Sequence, residues 1–294
     1  MRVLVTGING FVGRYAAALL RKEGHEVIGL GRAAACAVAG VPYVSSRLGQ
    51  CEDFARLREK LGVFDAVLHL AANLDMAFDA ADVIQDNAQG MQDVLRLADG
   101  CRHFVYLSSI GVYGRPRCEP IDEQHPIAPL TVYHATKFFG EQLLDIYRNV
   151  HPDCTTVVLR MAAPVGVGMR RSFLPIVLAQ AEKGEPITLY GQGGRVQSYI
   201  DVRDVARSLC VALGAKKSGL YNLGGARSYS NLRAAELCRD LCGGKSRISF
   251  TGTDAQEHDH WIVSQEKIRT ELGFVPGYAL QDTLRWMLES GGRA

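Results

Sequence analysis

The feature that most restricts this chain is a rhythm: short apolar runs alternate with longer stretches repeating at helical spacing. "RVLVTG" leads into a helical pattern from Phe11 to Glu23, followed by "HEVIGLG" and a weaker run at "PYVSS". "EDFARLREKLG" sets Phe54, Leu57 and Leu61 on one helical face. "FDAVLHLAA", "HFVYLSS" and "CTTVVLRM" read as buried strands, with the helices "NAQGMQDVLRLADG" and "YHATKFFGEQLLDIYRNV" between them. A strand that is apolar on both sides needs cover on both, and a parallel neighbour needs a crossover. The pattern predicts an α/β fold, a Rossmann-type doubly wound parallel sheet.

Beyond about Met161 the rhythm changes. "APVGVGMRR" reads as a loop, and "SFLPIVLAQAEKG" as a helix with Pro175 in its first turn. "PITLYGQGGRVQSYIDVRDVA" gives short strands broken by glycines, and "GLYNLGG" one more strand of the main sheet. The tail, with Trp261, Trp286 and "TLRWMLES", closes on a helix. The expected organisation is a dinucleotide-binding domain over residues 1–163, with strands from about 196–224 returning to it. Residues 164–195 and 225–294 form a smaller substrate-binding lobe. A cleft between lobes is a favoured ligand site.

Composition excludes several classes. The net charge is +2 over 294 residues, with no block of like charge, so no nucleic-acid or polybasic membrane footprint is expected. The eight cysteines contain no C-x-x-C, which predicts reduced thiols and no metal site. No apolar run reaches the roughly 18 residues of a membrane helix, and the first strand begins at Arg2, leaving no room for a signal peptide. A cytoplasmic protein is expected.

Within "VTGINGFVGR", Gly7, Gly10 and Gly13 are spaced G-x-x-G-x-x-G between a strand and a helix. Glycine lets the backbone turn tightly against a pyrophosphate, and the helix N-terminus offers it free N–H groups. This predicts a dinucleotide site. A carboxylate ending the second strand selects NAD by binding the ribose 2′-hydroxyl. Here the strand ends at Gly31 and Arg32, with no Asp or Glu between Val27 and Cys51, so the expected cofactor is NADP, with NAD possible.

Tyr133 and Lys137 in "YHATK" lie i, i+4 on one helical face. A lysine cation beside a tyrosine lowers its pKa and fits it for proton transfer during hydride transfer. Ser109, ending a buried strand, is placed to orient the substrate oxygen; Ser108 competes for that role.

With these residues the chain resembles the extended short-chain dehydrogenase/reductase superfamily, in its NAD-dependent epimerase/dehydratase branch. "TGINGFVGR" is similar to the family's T-G-x-x-G-F-x-G turn, which implies cofactor contacts from Gly7, Asn9, Gly10, Phe11, Val12 and Gly13. "HLAA" is similar to the strand beneath the nicotinamide, implying Leu70, Ala71 and Ala72. Asn87 matches the asparagine opening the next helix, and Pro164 of "LRMAAPVG" is implied at the cofactor. "SSIGVYG", "YHATK", "DVRDVA" and "YNLGG" match later motifs, making Ser109, Tyr133 and Lys137 the implied catalytic residues.

The resemblance also implies a nucleotide-sugar substrate, touched by Ser109 and Ile110. Sugar dehydratases of this family carry Asp-Glu after the catalytic hydroxyl residue. Ile110 and Gly111 stand there instead, which disfavours dehydration. Ala163 replaces an asparagine, and Gln197 a phosphate-binding arginine. Arg195, two residues earlier, and Arg170 and Arg171 are the cations available to an anion. A homodimer through the helices at Asn87 and Tyr133 is implied, with Phe138, Phe139, Leu143 and Tyr147 supplying apolar surface. The expected activity is NADPH-dependent reduction of a 4-keto nucleotide sugar, with Tyr133 as proton donor. The alternatives are an epimerase with retained NAD, a reductase of a non-nucleotide carbonyl compound, and an NADP-sensing regulator, although such sensors tend to lack the tyrosine–lysine pair.

Overall fold

The structure is a computed structural model and describes residues 1–50, 53–169 and 172–290. Along the chain, β1 (Arg2–Thr6), α1 (Phe11–Lys22), β2 (Glu26–Gly31), β3 (Tyr43–Ser45), α2 (Phe54–Leu61) and β4 (Ala66–His69) come first. Next are α3 (Ala81–Ile84), a π-turn (Gln85–Gln89) and α4 (Gly90–Leu97). Then come β5 (His103–Ser109), a 3-10 turn (Ile110–Tyr113), α5 (Val132–Val150), β6 (Thr155–Met161) and β7 (Ala163–Val165). The remainder is α6 (Phe173–Lys183), β8 (Ile187–Tyr190), β9 (Val196–Asp201), α7 (Val202–Leu213), β10 (Gly219–Leu223), β11 (Ser228–Ser230), α8 (Asn231–Leu241), β12 (Ile248–Thr251), α9 (Glu266–Leu272) and α10 (Leu280–Ser290).

Seven strands form one parallel sheet in the order β10-β6-β5-β4-β1-β2-β3. Strand parity divides the apolar residues between two layers. Leu4, Val67, Phe104, Tyr106 and Val158 face the side covered by α2, α4 and α5. Val3, Val5, Leu68, Val105, Leu107, Val157 and Leu159 face α1 and α7. The strand order reverses between β1 and β4, and open parallel sheets bind ligands in the crevice at the carboxyl ends of such a pair.

β9 departs from expectation. It does not return to the large sheet but pairs with β7 in parallel and β11 antiparallel. The sheet edge beside β6 is occupied by β10, which leaves β9 no place there. Of the segment expected to return, only β10 does so. The smaller lobe has its own core, in which Leu174, Val177 and Leu178 of α6 meet Ala234, Ala235 and Cys238 of α8 and Leu280 and Leu284 of α10. Its tail is pinned by Arg203, which forks onto Asp201 and lies 3.7 Å from the Tyr278 ring centroid and 3.9 Å from that of Trp286. Among the described residues, no helix is long and apolar enough to cross a membrane.

Candidate active site

The glycine turn sits at the switch point. Gly7 has φ +68°, and a Cβ there would lie 2.7 Å from the backbone of Ala71. A Cβ on Gly13 would lie 2.2 Å from the Gly7 carbonyl oxygen, so turn and helix close on each other only without side chains. Gly10 caps α1 with no side-chain acceptor, so the first-turn N–H groups face outward at the positive end of the helix dipole. This cradle fits the pyrophosphate of a dinucleotide.

Asn9 is otherwise engaged. Its Oδ1 accepts from Ala37 N at 2.7 Å, and its Nδ2 donates to Ala35 O at 2.8 Å. It therefore ties the turn to the loop after β2. Arg21 and Tyr43 hold the same loop, donating to Ala39 O at 2.6 Å and Ala33 O at 2.9 Å. Phe11 meets Tyr15 edge-on, and Val12 packs into the core beneath α1. Arg32 follows β2 and is exposed. A side chain at position 31 would meet the Tyr43 hydroxyl at 3.1 Å.

At the end of β4 the Thr6 hydroxyl accepts from Leu70 N and Ala71 N, each at 3.2 Å, and bonds His69 Nδ1 at 2.7 Å. With both N–H groups bonded to Thr6, its own hydrogen is left for His69. The His69 ring stacks on Tyr106, and burial, then the charge of Lys137, pushes its pKa down to about 3. Ala72 follows, half-buried. Asn87, in the π-turn, spends its whole amide on a clamp. Oδ1 accepts from Asn73 N at 2.7 Å, while Nδ2 donates to Asn73 O and Thr136 Oγ1, both at 3.0 Å. Asn87 thus braces the loop after β4 against α5.

α5 opens at Thr131, whose hydroxyl caps His134 N at 3.2 Å. Tyr133, Lys137 and Glu141 then recur at i, i+4 and i+8 on the face packed against β5. Lys137 is buried, its ammonium 4.2 Å from the Tyr106 ring centroid. Burial pushes Lys137 down to about 7, against the pull of Glu141. Burial pushes Tyr133 up to about 12. The expected lowering of the tyrosine by its lysine does not occur in the protein alone, because desolvation dominates both groups. Tyr133 therefore carries its proton at neutral pH, which is the state a proton donor needs.

The depressed lysine has a measurable consequence. Between about 7 and the ordinary 10.5, the unfolded chain holds a proton that folded Lys137 has released. The cofactor-free protein is therefore expected to gain stability as pH rises through that window, with the penalty fully present below it. Lys137→Met should remove the gain. Urea midpoints at pH 7 and pH 9 check this, and an unchanged difference in the variant would assign the titration to another group.

The two serines have different surroundings. Ser108 shares strand parity with Phe104 and Tyr106 and donates to Glu141 Oε1 at 2.5 Å. Glu141 in turn receives Arg160 through Nε at 3.0 Å and Nη2 at 2.7 Å, in a buried cluster. Ser109 is half-buried, and its Oγ accepts from Gly111 N at 3.1 Å, leaving its hydroxyl hydrogen for a ligand. Ile110, expected at the substrate, is buried with Val112, Tyr113, Ala162 and Trp261, because an aliphatic side chain beside that cluster gains more from burial than from a polar cleft. The motif reading missed Thr6, Tyr106 and Glu141, which touch Leu70 and Ala71, Lys137, and Ser108 respectively. Glu141 carried a signal, the continuation of the i, i+4 series beyond Lys137.

A cavity of about 610 Å³ opens in the smaller lobe. Ala163, Pro164, Arg195, Gln197 and Tyr199 line it, which brings together four positions expected at the ligands. With its amide oxygen turned toward Arg195, Gln197 accepts from Nε at 2.6 Å and Nη2 at 2.8 Å. Arg170 and Arg171 lie outside the described residues; Met169 and Ser172 on either side of them line the cavity.

A glycine cradle at the switch point of a seven-stranded parallel sheet, with a serine and a tyrosine–lysine pair nearby, defines a dinucleotide-dependent enzyme of the extended short-chain dehydrogenase/reductase type. Residues 3–224 match the NAD dependent epimerase/dehydratase family, and the chain belongs to it. It is 29% identical to a dTDP-glucose 4,6-dehydratase of Streptomyces niveus, over 97% of this chain and 90% of that protein. It is also 29% identical to a UDP-glucose 4-epimerase of Corynebacterium glutamicum, over 94% of this chain and 91% of the relative. The structure of a Thermus thermophilus UDP-glucose 4-epimerase in complex with NAD superposes with a TM-score of 0.87 at 25% identity, covering 100% of each chain.

Proposed function

We propose that this chain is an NADP-dependent oxidoreductase acting at a ketone or secondary alcohol of a nucleotide sugar, in the direction of reduction. The observation that carries the reading is the half-buried Tyr133 on the α5 face that also carries the buried Lys137, packed over Tyr106. When bound, the nicotinamide supplies the hydride. Tyr133 gives its proton to the carbonyl oxygen, and the Ser109 hydroxyl orients that oxygen. Lys137 holds the nicotinamide ribose. Ile110 and Gly111 stand where the resemblance places an acid pair, which disfavours the expulsion of water. The sugar end of the substrate lies toward Ser109, and its nucleotide end enters the cavity lined by Ala163, Arg195 and Gln197.

The NADP assignment rests on Gly31 and Arg32. Arg32→Asp is expected to weaken NADPH binding by roughly tenfold or more and to spare NADH, since it replaces a cation with a carboxylate at the 2′-phosphate. Fluorescence titration with both nucleotides checks this; equal affinities in the unmodified protein would remove the assignment.

A second reading, an epimerase with retained NAD, is favoured by the UDP-glucose 4-epimerases among the relatives. The cofactor released on denaturation separates the two. Tightly held NAD supports the epimerase, and an empty site that takes up NADPH supports the reductase. A cytoplasmic homodimer completes the proposal. Of the four residues expected to supply its surface Phe139 is exposed, while Tyr147 is buried and Phe138 and Leu143 pack against cores. Ile146 and Val150 on α5 and Ile84 on α3 are exposed beside Phe139 instead.

A further inference from the structure

We propose that Cys101 and Cys154 form a site of reversible oxidative modification, which a peroxide closes into a disulfide. The two cysteines lie at the base of the large sheet, at the end opposite the glycine cradle. Cys101 precedes β5 and Cys154 precedes β6, and these strands run parallel with His103 opposite Thr155. Neighbouring strands are about 4.8 Å apart, and an offset of one residue leaves the pair within the roughly 4.4–6.8 Å that the Cα atoms of a disulfide span. Both side chains enter the core layer beneath α4 and α5, and their sulfurs stand 3.7 Å apart. Among the described residues, no other two thiols are hydrogen-bonded to each other.

The surroundings allow both closure and access. A disulfide holds its sulfurs at about 2.05 Å, so these two must approach by about 1.7 Å. A Cβ on Gly100 would meet nothing within 4 Å, so the loop that delivers Cys101 has space to shift. Asp99, Gly100, Pro152 and Asp153 are exposed, which puts each thiol one residue beneath the surface. The inner side is firm. Tyr147 donates to Ala98 O at 2.9 Å, and the His151 ring stacks on Tyr147 with centroids 4.1 Å apart.

The shared hydrogen bond makes the thiols unequal. It pushes the Cys154 thiol down and the Cys101 thiol up, so Cys154 is the first to reach the thiolate. That thiolate attacks one peroxide oxygen and the O–O bond breaks. Cys154 becomes a sulfenic acid, and the departing hydroxide takes up the thiol's proton as water. Cys101 sulfur then attacks the Cys154 sulfur. The S–O bond breaks, and its hydroxyl leaves with the Cys101 proton as a second water. Two thiols are oxidised by two electrons, and one peroxide is reduced to two waters. The bond closes a loop that contains Ser109, Tyr133 and Lys137, and such a closure stabilises by restricting the unfolded chain. The whole length of β5 lies between the pair and Ser109, so the site itself is left alone.

The test treats the full-length, cofactor-free protein with hydrogen peroxide, blocks the remaining thiols with iodoacetamide and maps the tryptic peptides. The expected product joins residues 97–102 to residues 149–160, two hydrogens lighter than the separate peptides, and dithiothreitol parts them again. The thermal midpoint is expected to rise by several degrees with the bond in place. Cys154→Ser should abolish both the joined peptide and the rise; the peptide map of the unmodified protein decides even if that variant does not fold. Sulfinic or sulfonic acid at either cysteine without the joined peptide overturns the inference. So does a joined peptide that forms only in urea. A midpoint that falls on cross-linking overturns it as well, because the bond then strains the fold instead of fitting it.

Discussion

Replacing Tyr133 by phenylalanine is expected to cut turnover by roughly 10²-fold or more while leaving cofactor affinity unchanged. The hydroxyl is the one atom removed, and the ring keeps its place on α5. Burial pushes the pKa of that hydroxyl up to about 12, so on the proposed reading the variant removes the donor's proton. Lys137→Met should behave differently, impairing both cofactor binding and turnover, because in the proposed reading the ammonium holds the ribose as well as serving the proton donor. Steady-state assays, paired with nucleotide titration of each variant, separate the two. Normal turnover in Tyr133→Phe would place the donor elsewhere, with Ser109 as the next group to test.

The largest effect on stability is expected at Glu141. Its carboxylate and the Arg160 guanidinium are 2% and 5% exposed, and Ser108 completes the ring of bonds. Arg160 also lies 4.8 Å from the Tyr113 ring centroid, and Tyr113 donates to Asn222 at 2.6 Å, so the cluster joins α5, β6, the turn after β5 and β10. Glu141→Gln keeps the shape but turns one accepting oxygen into an NH2 donor that faces donors, and it strands a buried cation, at a cost of about 3–5 kcal/mol. The pair Glu141→Leu with Arg160→Met should cost less than Glu141→Gln alone, because no charge is left unpaired. Urea denaturation measures both. A loss under about 1 kcal/mol for Glu141→Gln is the size of a surface pair and would mean that solvent reaches Arg160.

The two sides of this cluster show what a sequence makes legible. Continuous apolar runs marked the strands of the large sheet because each is buried on both faces, and burial leaves a compositional trace. β9 left a weaker one. "VQSYID" is strand-like, but nothing in six residues says which sheet has a free edge. That was decided by β10, which claims the place beside β6 from some twenty residues further on.

Among the ligand positions, glycines were legible because their requirement is local: a positive φ at Gly7 and a close approach at Gly13. Asn9 and Asn87 were less so. An asparagine amide serves a ligand or the backbone equally well, and only the fold showed Ala35, Ala37, Asn73 and Thr136 within reach. Likewise, the motif paired Tyr133 with Lys137 but could not show that burial would raise one and lower the other.

The loop after β2 carries a further consequence. "RAAACAVAG" has almost no side-chain bulk with which to hold itself, yet Asn9, Arg21 and Tyr43 fasten it at Ala33, Ala35, Ala37 and Ala39. The entropy of ordering it is therefore spent during folding and not on ligand association. On the proposed reading, an adenosine arriving at Arg32 would meet a finished surface. The proposed nucleotide choice would then be a matter of one side chain on a fixed frame, so exchanging Arg32 should redirect it without rebuilding the loop, whereas loosening Asn9 should weaken NADPH and NADH alike.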